Sequence, residues 1–224
     1  MEPYNLELEV IPGILESQWS EIEKKIEVVK PFAKTIHIDV VDGKFAPNTS
    51  WLDPAPFKPY TKDTIFEVHL MVDNPMEYLE RFAEVGFRRF IGQVEKMPNI
   101  PDFVAKAQML GEVGLALDSD TPLEKFDIPF EGMEEDIDVA FLMSVKAGLS
   151  RQSFIPESVE KIKTLRAKNE FVPIEVDGGI NIDTIKQAYE AGATRFVTTG
   201  FLFDSENPKE AFEKLMSVIS SSRT

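Results

Sequence analysis

The chain has 224 residues, 43% hydrophobic and 28% charged, enough for one large domain or two small ones with a substantial core. Its net charge of −15 argues against nucleic acid, whose phosphates need clustered Lys and Arg. A small anion remains compatible, because a pocket can be locally positive inside an acidic molecule. There is no cysteine, which excludes disulfides and thiolate chemistry and leaves His, carboxylate or water for any metal. No apolar run approaches the ~18–20 residues of a membrane span. The start, Met1-Glu2-Pro3-Tyr4-Asn5-Leu6-Glu7, lacks the basic and apolar stretches of a signal peptide. A soluble cytoplasmic protein is expected.

Strand-like and helix-like runs alternate from end to end. Residues 6–11 alternate like a strand that stops at Pro12-Gly13, and 17–32 carry Trp19, Ile22, Ile26 and Val29 at helical spacing. A second strand spans 35–40. The long loop 43–59 holds Pro47, Pro54, Pro56 and Pro59, leaving room for a short helix alone. A third strand covers 65–70, and Asp73-Asn74-Pro75 opens a helix with a cap and an early proline. Strand 89–94, helix 101–110 and strand 112–117 follow. Thr121-Pro122-Leu123-Glu124 starts a short helix. Then come strand 137–145, helix 156–167, strand 172–176, helix 181–191 with Asn181 as its cap, strand 194–198 and helix 208–219.

Eight strand–helix units imply parallel pairing with right-handed crossovers. Eight close into a (β/α)₈ TIM barrel, with residues 1–224 as one domain and about five frayed at the C-terminus. Catalytic groups in such barrels gather at the C-terminal ends of the strands. His37 and Asp39 end strand two, His69 ends strand three, and Asp177 follows strand seven. Side chains two apart on a strand share a face, so His37 and Asp39 point the same way. An isolated strand His is usually a hydrogen-bonded structural residue, and Asp177-Gly178-Gly179 alone fits a capped tight turn. Two His and two strand-end acids at one mouth reverse that reading toward a divalent metal site. Asp42-Gly43 reads as a turn. Gln93 and Glu95 share a face where pocket lining and polar core packing fit equally well.

The motifs themselves resemble a known family. Residues 37–48, His-Ile-Asp-Val-Val-Asp-Gly-Lys-Phe-Ala-Pro-Asn, are similar to the H-I-D-V-M-D-G-x-F-V-P-N signature of ribulose-phosphate 3-epimerases. Glu67-Val68-His69-Leu70-Met71-Val72 resembles that family's D-V-H-L-M-V, and Val176-Asp177-Gly178-Gly179-Ile180-Asn181 its V-D-G-G-I-N. Phe141-Leu142-Met143-Ser144-Val145 parallels L-V-M-T-V. The match runs in register from about residue 8 to residue 204.

The resemblance implies a ribulose-phosphate-binding type of barrel that epimerises a ketose phosphate at C3, D-ribulose 5-phosphate to D-xylulose 5-phosphate, through an enediolate. It implies His37, Asp39, His69 and Asp177 as ligands of one divalent ion (Zn, Fe, Mn or Co), and Asp39 and Asp177 as opposed acid and base. His69, Met71 and Met143 line the substrate; Gly148, Arg151, Gly178, Gly179, Thr199 and Gly200 correspond to the phosphate-binding segments. A homo-oligomer is implied, with a sugar phosphate as the partner molecule and no membrane. Four departures stand out. Val41 replaces a methionine, Gly13 replaces a serine that contacts substrate, the final G-S pair reads Thr199-Gly200, and the loop P-G-F-G-G-Q reads Ala147-Gly148-Leu149-Ser150-Arg151-Gln152. A side chain restricts close backbone approach there, while Arg151 offers a guanidinium for an anion; a solvated loop arginine fits equally well. The altered loop leaves open another ketose, such as a hexulose 6-phosphate, or a non-catalytic binding barrel.

Overall fold

A computed structural model describes residues 6–125, 137–149 and 151–221. Eight parallel strands close in sequence order: β1 (Glu9–Ile14), β2 (Thr35–Val41), β3 (Ile65–Met71), β4 (Arg89–Gln93), β5 (Glu112–Leu117), β6 (Val139–Met143), β7 (Ile174–Asp177) and β8 (Arg195–Thr198). β8 returns to β1, pairing Glu9 with Arg195 and Pro12 with Thr198. Closure leaves no sheet edge. The expected (β/α)₈ barrel is the fold observed.

Period-two alternation sorts the apolar strand residues into two cores. One set faces outward onto the helices, with Val10, Ile36, Val68, Phe90, Leu142 and Phe196 among its members. The other fills the barrel interior with Ile11, Val41, Met71, Ile91, Phe141 and Val197. The helices present matching stripes. Helix Trp19–Val29 buries Ile22, Ile26 and Val29, spaced four and three apart as one face requires. Helix Ile182–Glu190 is closed by a capping box of Asn181 and Thr184, as read for Asn181.

Several boundaries differ from the sequence reading. β1 does not stop at Pro12-Gly13 but runs through both to Ile14. Its ladder with β2 begins only at Gly13 and His37, so the missing proline N–H removes no established bond on that side. Asn74 makes no cap hydrogen bond, and Pro75–Glu77 is a 3₁₀ turn before the short α-helix Leu79–Glu84. Asn74 Nδ2 instead donates to Glu77 Oε1 at 2.9 Å. After β5 only the 3₁₀ turn Leu123–Lys125 is seen; any longer helix there lies outside the described residues. β7 includes Asp177. A short helix, Gly200–Phe203, follows β8 unannounced. The last helix, Pro208–Ser221, takes in two of the five residues read as frayed, and 222–224 lie outside the described residues.

The proline-rich loop after β2 holds one 3₁₀ turn, Ala55–Phe57. Phe57 anchors it edge-on to Trp19 at 4.9 Å and to Phe87 at 5.3 Å between ring centroids. It is essentially fully buried. Phe57→Ala is therefore expected to lower stability by about 3–5 kcal/mol, read from urea denaturation midpoints at constant slope. A loss below about 1 kcal/mol would mean the loop is not part of the cooperative core.

Candidate active site

The register of β2 against β3 builds the centre of the site. Asp39 pairs with His69 and His37 with Glu67, and all four side chains point into the barrel by alternation. Asp39 Oδ1 lies 3.2 Å from His37 Nε2 and 3.0 Å from His69 Nδ1. Asp177 enters from β7, and one ligand atom each of His37, Asp39, His69 and Asp177 fall within 4.8 Å of one another. Donors bound about 2.0–2.2 Å from a shared ion stand roughly 3.0–3.4 Å apart when adjacent. The two His–Asp separations have that spacing, and the nitrogen and oxygen donor set suits a borderline divalent cation. The four residues thus form a buried cluster fit to hold one.

Below the cluster runs a second line of charge. His37 Nδ1 meets Glu67 Oε1 at 2.7 Å, which directs Nε2 toward Asp39, the tautomer control typical of metal-ligating histidines. Glu67 Oε2 in turn accepts from Arg89 Nη1, and Arg89 Nη2 reaches Glu112 Oε2 at 2.6 Å. His37, Glu67, His69 and Glu175 are completely buried. Glu175 Oε1 lies 3.7 Å from His37 Nδ1.

The two catalytic candidates sit in opposite electrostatic settings. Burial opposes ionisation of Asp39, yet the His37 charge and hydrogen bonds from both imidazoles hold its carboxyl below the usual range. Burial pushes Asp177 up, and the Asp39 charge adds to this, raising it to about 7. Burial also opposes a charge on His37, but Asp39 and Glu67 together keep its pKa well above the ordinary value. Burial drives His69 down. Glu175 is pushed well up by burial and by Glu67.

Above the cluster opens a cavity of about 610 Å³ with Asp39 and Asp177 in its wall. Met71 and Met143 line it, as do Gly148, Arg151, Gly178, Gly179, Thr199 and Gly200. His37 and His69 do not; they lie wholly beneath it. Val41 is buried outside the lining. Gly178 and Gly179 have φ of +119° and +63°, and a Cβ on either would come within 2.5 Å of Val145 or 2.4 Å of the Phe154 backbone. Glycine is therefore required at this turn.

In the altered loop, Arg151 also takes a positive φ, 61°, and Ser150 lies outside the described residues. Arg151 Nη2 pairs with Asp204 Oδ1 at 2.9 Å, both exposed. Gln152 Nε2 donates to the Lys146 and Leu149 carbonyls at 2.6 and 2.8 Å. Asn48 Nδ2 ties Gly148 O to the β2 loop at 2.8 Å. Asp42 Oδ1 accepts from the Lys44 and Phe45 amides at 2.9 and 3.0 Å, as a turn residue does. Gln93 and Glu95 are not in the cavity wall; oriented to satisfy its neighbours, the Gln93 amide donates to Glu95 Oε2 at 3.0 Å.

The pattern of the ribulose-phosphate 3 epimerase family matches residues 9–203. The chain belongs to that family. It is 31% identical over 217 residues to a ribulose-phosphate 3-epimerase of Schizosaccharomyces pombe, covering 94% of this chain and 93% of that one. It is 30% identical to the cytoplasmic isoform of rice (Oryza sativa), over 96% and 95% of the two chains. Among solved structures, 3-hexulose-6-phosphate synthase of Salmonella typhimurium superposes with a TM-score of 0.69 over 96% of this chain and 99% of that one, at 12% identity. This last likeness concerns the fold alone. Among the described residues no helix is long and apolar enough to cross a membrane.

Three parts of the site escaped the sequence reading: the Glu67–Arg89 support, the Arg151–Asp204 pair, and Leu15 and Phe201 in the wall. Each depends on which strands and loops become neighbours. The support carries a testable consequence. Glu67→Ala would leave Arg89 and His37 without their shared buried anion. A loss of about 3–5 kcal/mol is expected, measured by chemical denaturation; a loss near zero would show that Arg89 finds a substitute partner.

Proposed function

We propose that this protein is a divalent-metal-dependent epimerase acting at C3 of a ketose phosphate, interconverting D-ribulose 5-phosphate and D-xylulose 5-phosphate. One observation carries the reading: two imidazoles and two carboxylates converge beneath a cavity of substrate size, with Asp39 and Asp177 reaching its wall. Family membership over nearly the whole chain supports it. His37, Asp39, His69 and Asp177 would hold the ion, of which Zn²⁺, Fe²⁺, Mn²⁺ and Co²⁺ all suit the donors. When bound, a divalent ion supplies Lewis-acid stabilisation of negative charge developing on the ketone oxygen.

The residues perform the rest. Epimerisation removes the C3 proton from one face and returns a proton to the other. Asp39 is the base in one direction, Asp177 delivers a proton from the opposite side, and the roles exchange in reverse. Met71 and Met143 give the enediolate an apolar wall that limits water. The glycine turn at 178–179 leaves backbone exposed for the phosphate, and Arg151 lines the same cavity. A cytoplasmic location accords with the rice relative, a cytoplasmic isoform, and we expect a homo-oligomer by resemblance.

A second reading keeps the chemistry but changes the ketose, for example to a hexulose 6-phosphate. The Arg151–Asp204 pair motivates it, since a carboxylate in the cavity wall already engages the loop arginine. A substrate panel decides between them, and clear preference for ribulose 5-phosphate removes the second.

The primary test is a coupled epimerase assay on metal-loaded protein. Asp177→Asn is expected to lower turnover by about 10²–10⁴-fold in folded protein. A chelator should abolish activity, with recovery on adding back one of the four ions. Absence of turnover in folded, metal-loaded wild type would reject the leading substrate and favour a sugar-phosphate-binding barrel.

A further inference from the structure

Gly13 and Thr199 meet where the first and last strands close the barrel. Pro12 pairs with Thr198, and alternation turns Gly13 inward with Ile11, just as Thr199 follows Val197. Ile11 and Val197 are both interior residues. The backbone at Gly13 does not demand glycine, because it is absent from the positive-φ glycines. Space does. A Cβ there would lie 2.7 Å from Val197 Cγ1 and 2.8 Å from Thr199 Oγ1. Thr199 Oγ1 occupies the place a side chain on residue 13 would take, and it donates to Gly13 O at 3.0 Å.

That hydrogen bond uses the only proton the hydroxyl has. A threonine hydroxyl offers one donor and two acceptor lone pairs, so Oγ1 is left with acceptor capacity, in a residue that lines the cavity. An acceptor pairs with an O–H donor and is a poor neighbour for phosphate oxygens, which accept.

Building on the ketose-phosphate reading, we propose that Thr199 Oγ1 is a specificity-determining acceptor for a hydroxyl of the sugar, and that Gly13 is the residue that makes room for it. This separates Thr199 from the phosphate grip to which the family resemblance assigns the 199–200 pair. The side chain reads the polyol; phosphate recognition stays with the glycine turn and the 147–152 loop.

The test is calorimetric binding to metal-loaded protein, which does not depend on turnover, using ribulose 5-phosphate and, separately, inorganic phosphate. Thr199→Val keeps the shape and removes the hydroxyl. It is expected to weaken ribulose 5-phosphate about three- to tenfold and leave phosphate affinity unchanged. Equal weakening of both ligands, or of neither, would overturn the proposal. Gly13→Ser alone should weaken sugar binding through its clash with Val197 and Thr199. Gly13→Ser with Thr199→Ala still meets Val197 Cγ1 at 2.7 Å, so Val197→Ala is added; this triple variant carries the hydroxyl on β1 and should recover most of what Thr199→Ala with Val197→Ala loses. A Gly13→Ser protein that binds like wild type would sink the steric coupling. Binding without epimerisation in the wild type would refute the activity proposed above while leaving this assignment standing; no binding of ribulose 5-phosphate at all would refute both.

Discussion

The site depends on one buried chain of contacts: Asp39 to His37, His37 to Glu67, Glu67 to Arg89. Placing this much charge inside a barrel is costly, since each ion must lose its hydration and recover it from partners. A filling of Val, Ile and Leu would be the cheaper interior. The chain is stable here because every link is hydrogen-bonded and because strand register supplies each partner. Its consequence is orientation. With Nδ1 fixed on Glu67, the His37 ring presents Nε2 upward beside Asp39, and Asp39 is shared with His69.

Above that floor the protein divides its labour. Ligand-bearing residues sit on or at the ends of strands, where pairing on both sides fixes them. The cavity wall combines strand-end methionines, Met71 and Met143, with loop residues such as Gly148, Arg151 and Gly178. All the departures from the family pattern except Val41 fall on the upper rim: Gly13, the 147–152 loop and Thr199. At Gly13 and Thr199 space couples the two positions, because a side chain on residue 13 would meet Thr199 Oγ1 at 2.8 Å.

Much of this was legible in the sequence because its signals are local. Alternation found the strands to within a few residues, and two-residue spacing put His37 and Asp39 on one face. Pro12-Gly13 misled because these residues usually punctuate turns; in β1 the proline sits where one ladder has not yet begun. Asn74 has the right identity for a cap, but its side chain is drawn to Glu77. What stayed hidden was pairwise and distant. Arg151 and Asp204 are 53 residues apart, and Thr199 and Gly13 are 186 apart. Nothing in local composition ranks such contacts; only the closed strand order brings them together.

The opposed behaviour of Asp39 and Asp177 shows why the constellation matters more than its members. Both are aspartates at strand ends, and both are largely buried. Desolvation alone would push the two carboxyls up together. Asp39 escapes because two imidazoles stabilise its charge. Asp177 has no such pair, and the charge retained by Asp39 pushes it further up. The asymmetry therefore arises from the His–Asp register of β2 and β3 rather than from either acid itself. Strand register, the same property that lets the sheet close, thus sets two like acids in unlike surroundings, and a divalent ion held between them would favour the charged form of both.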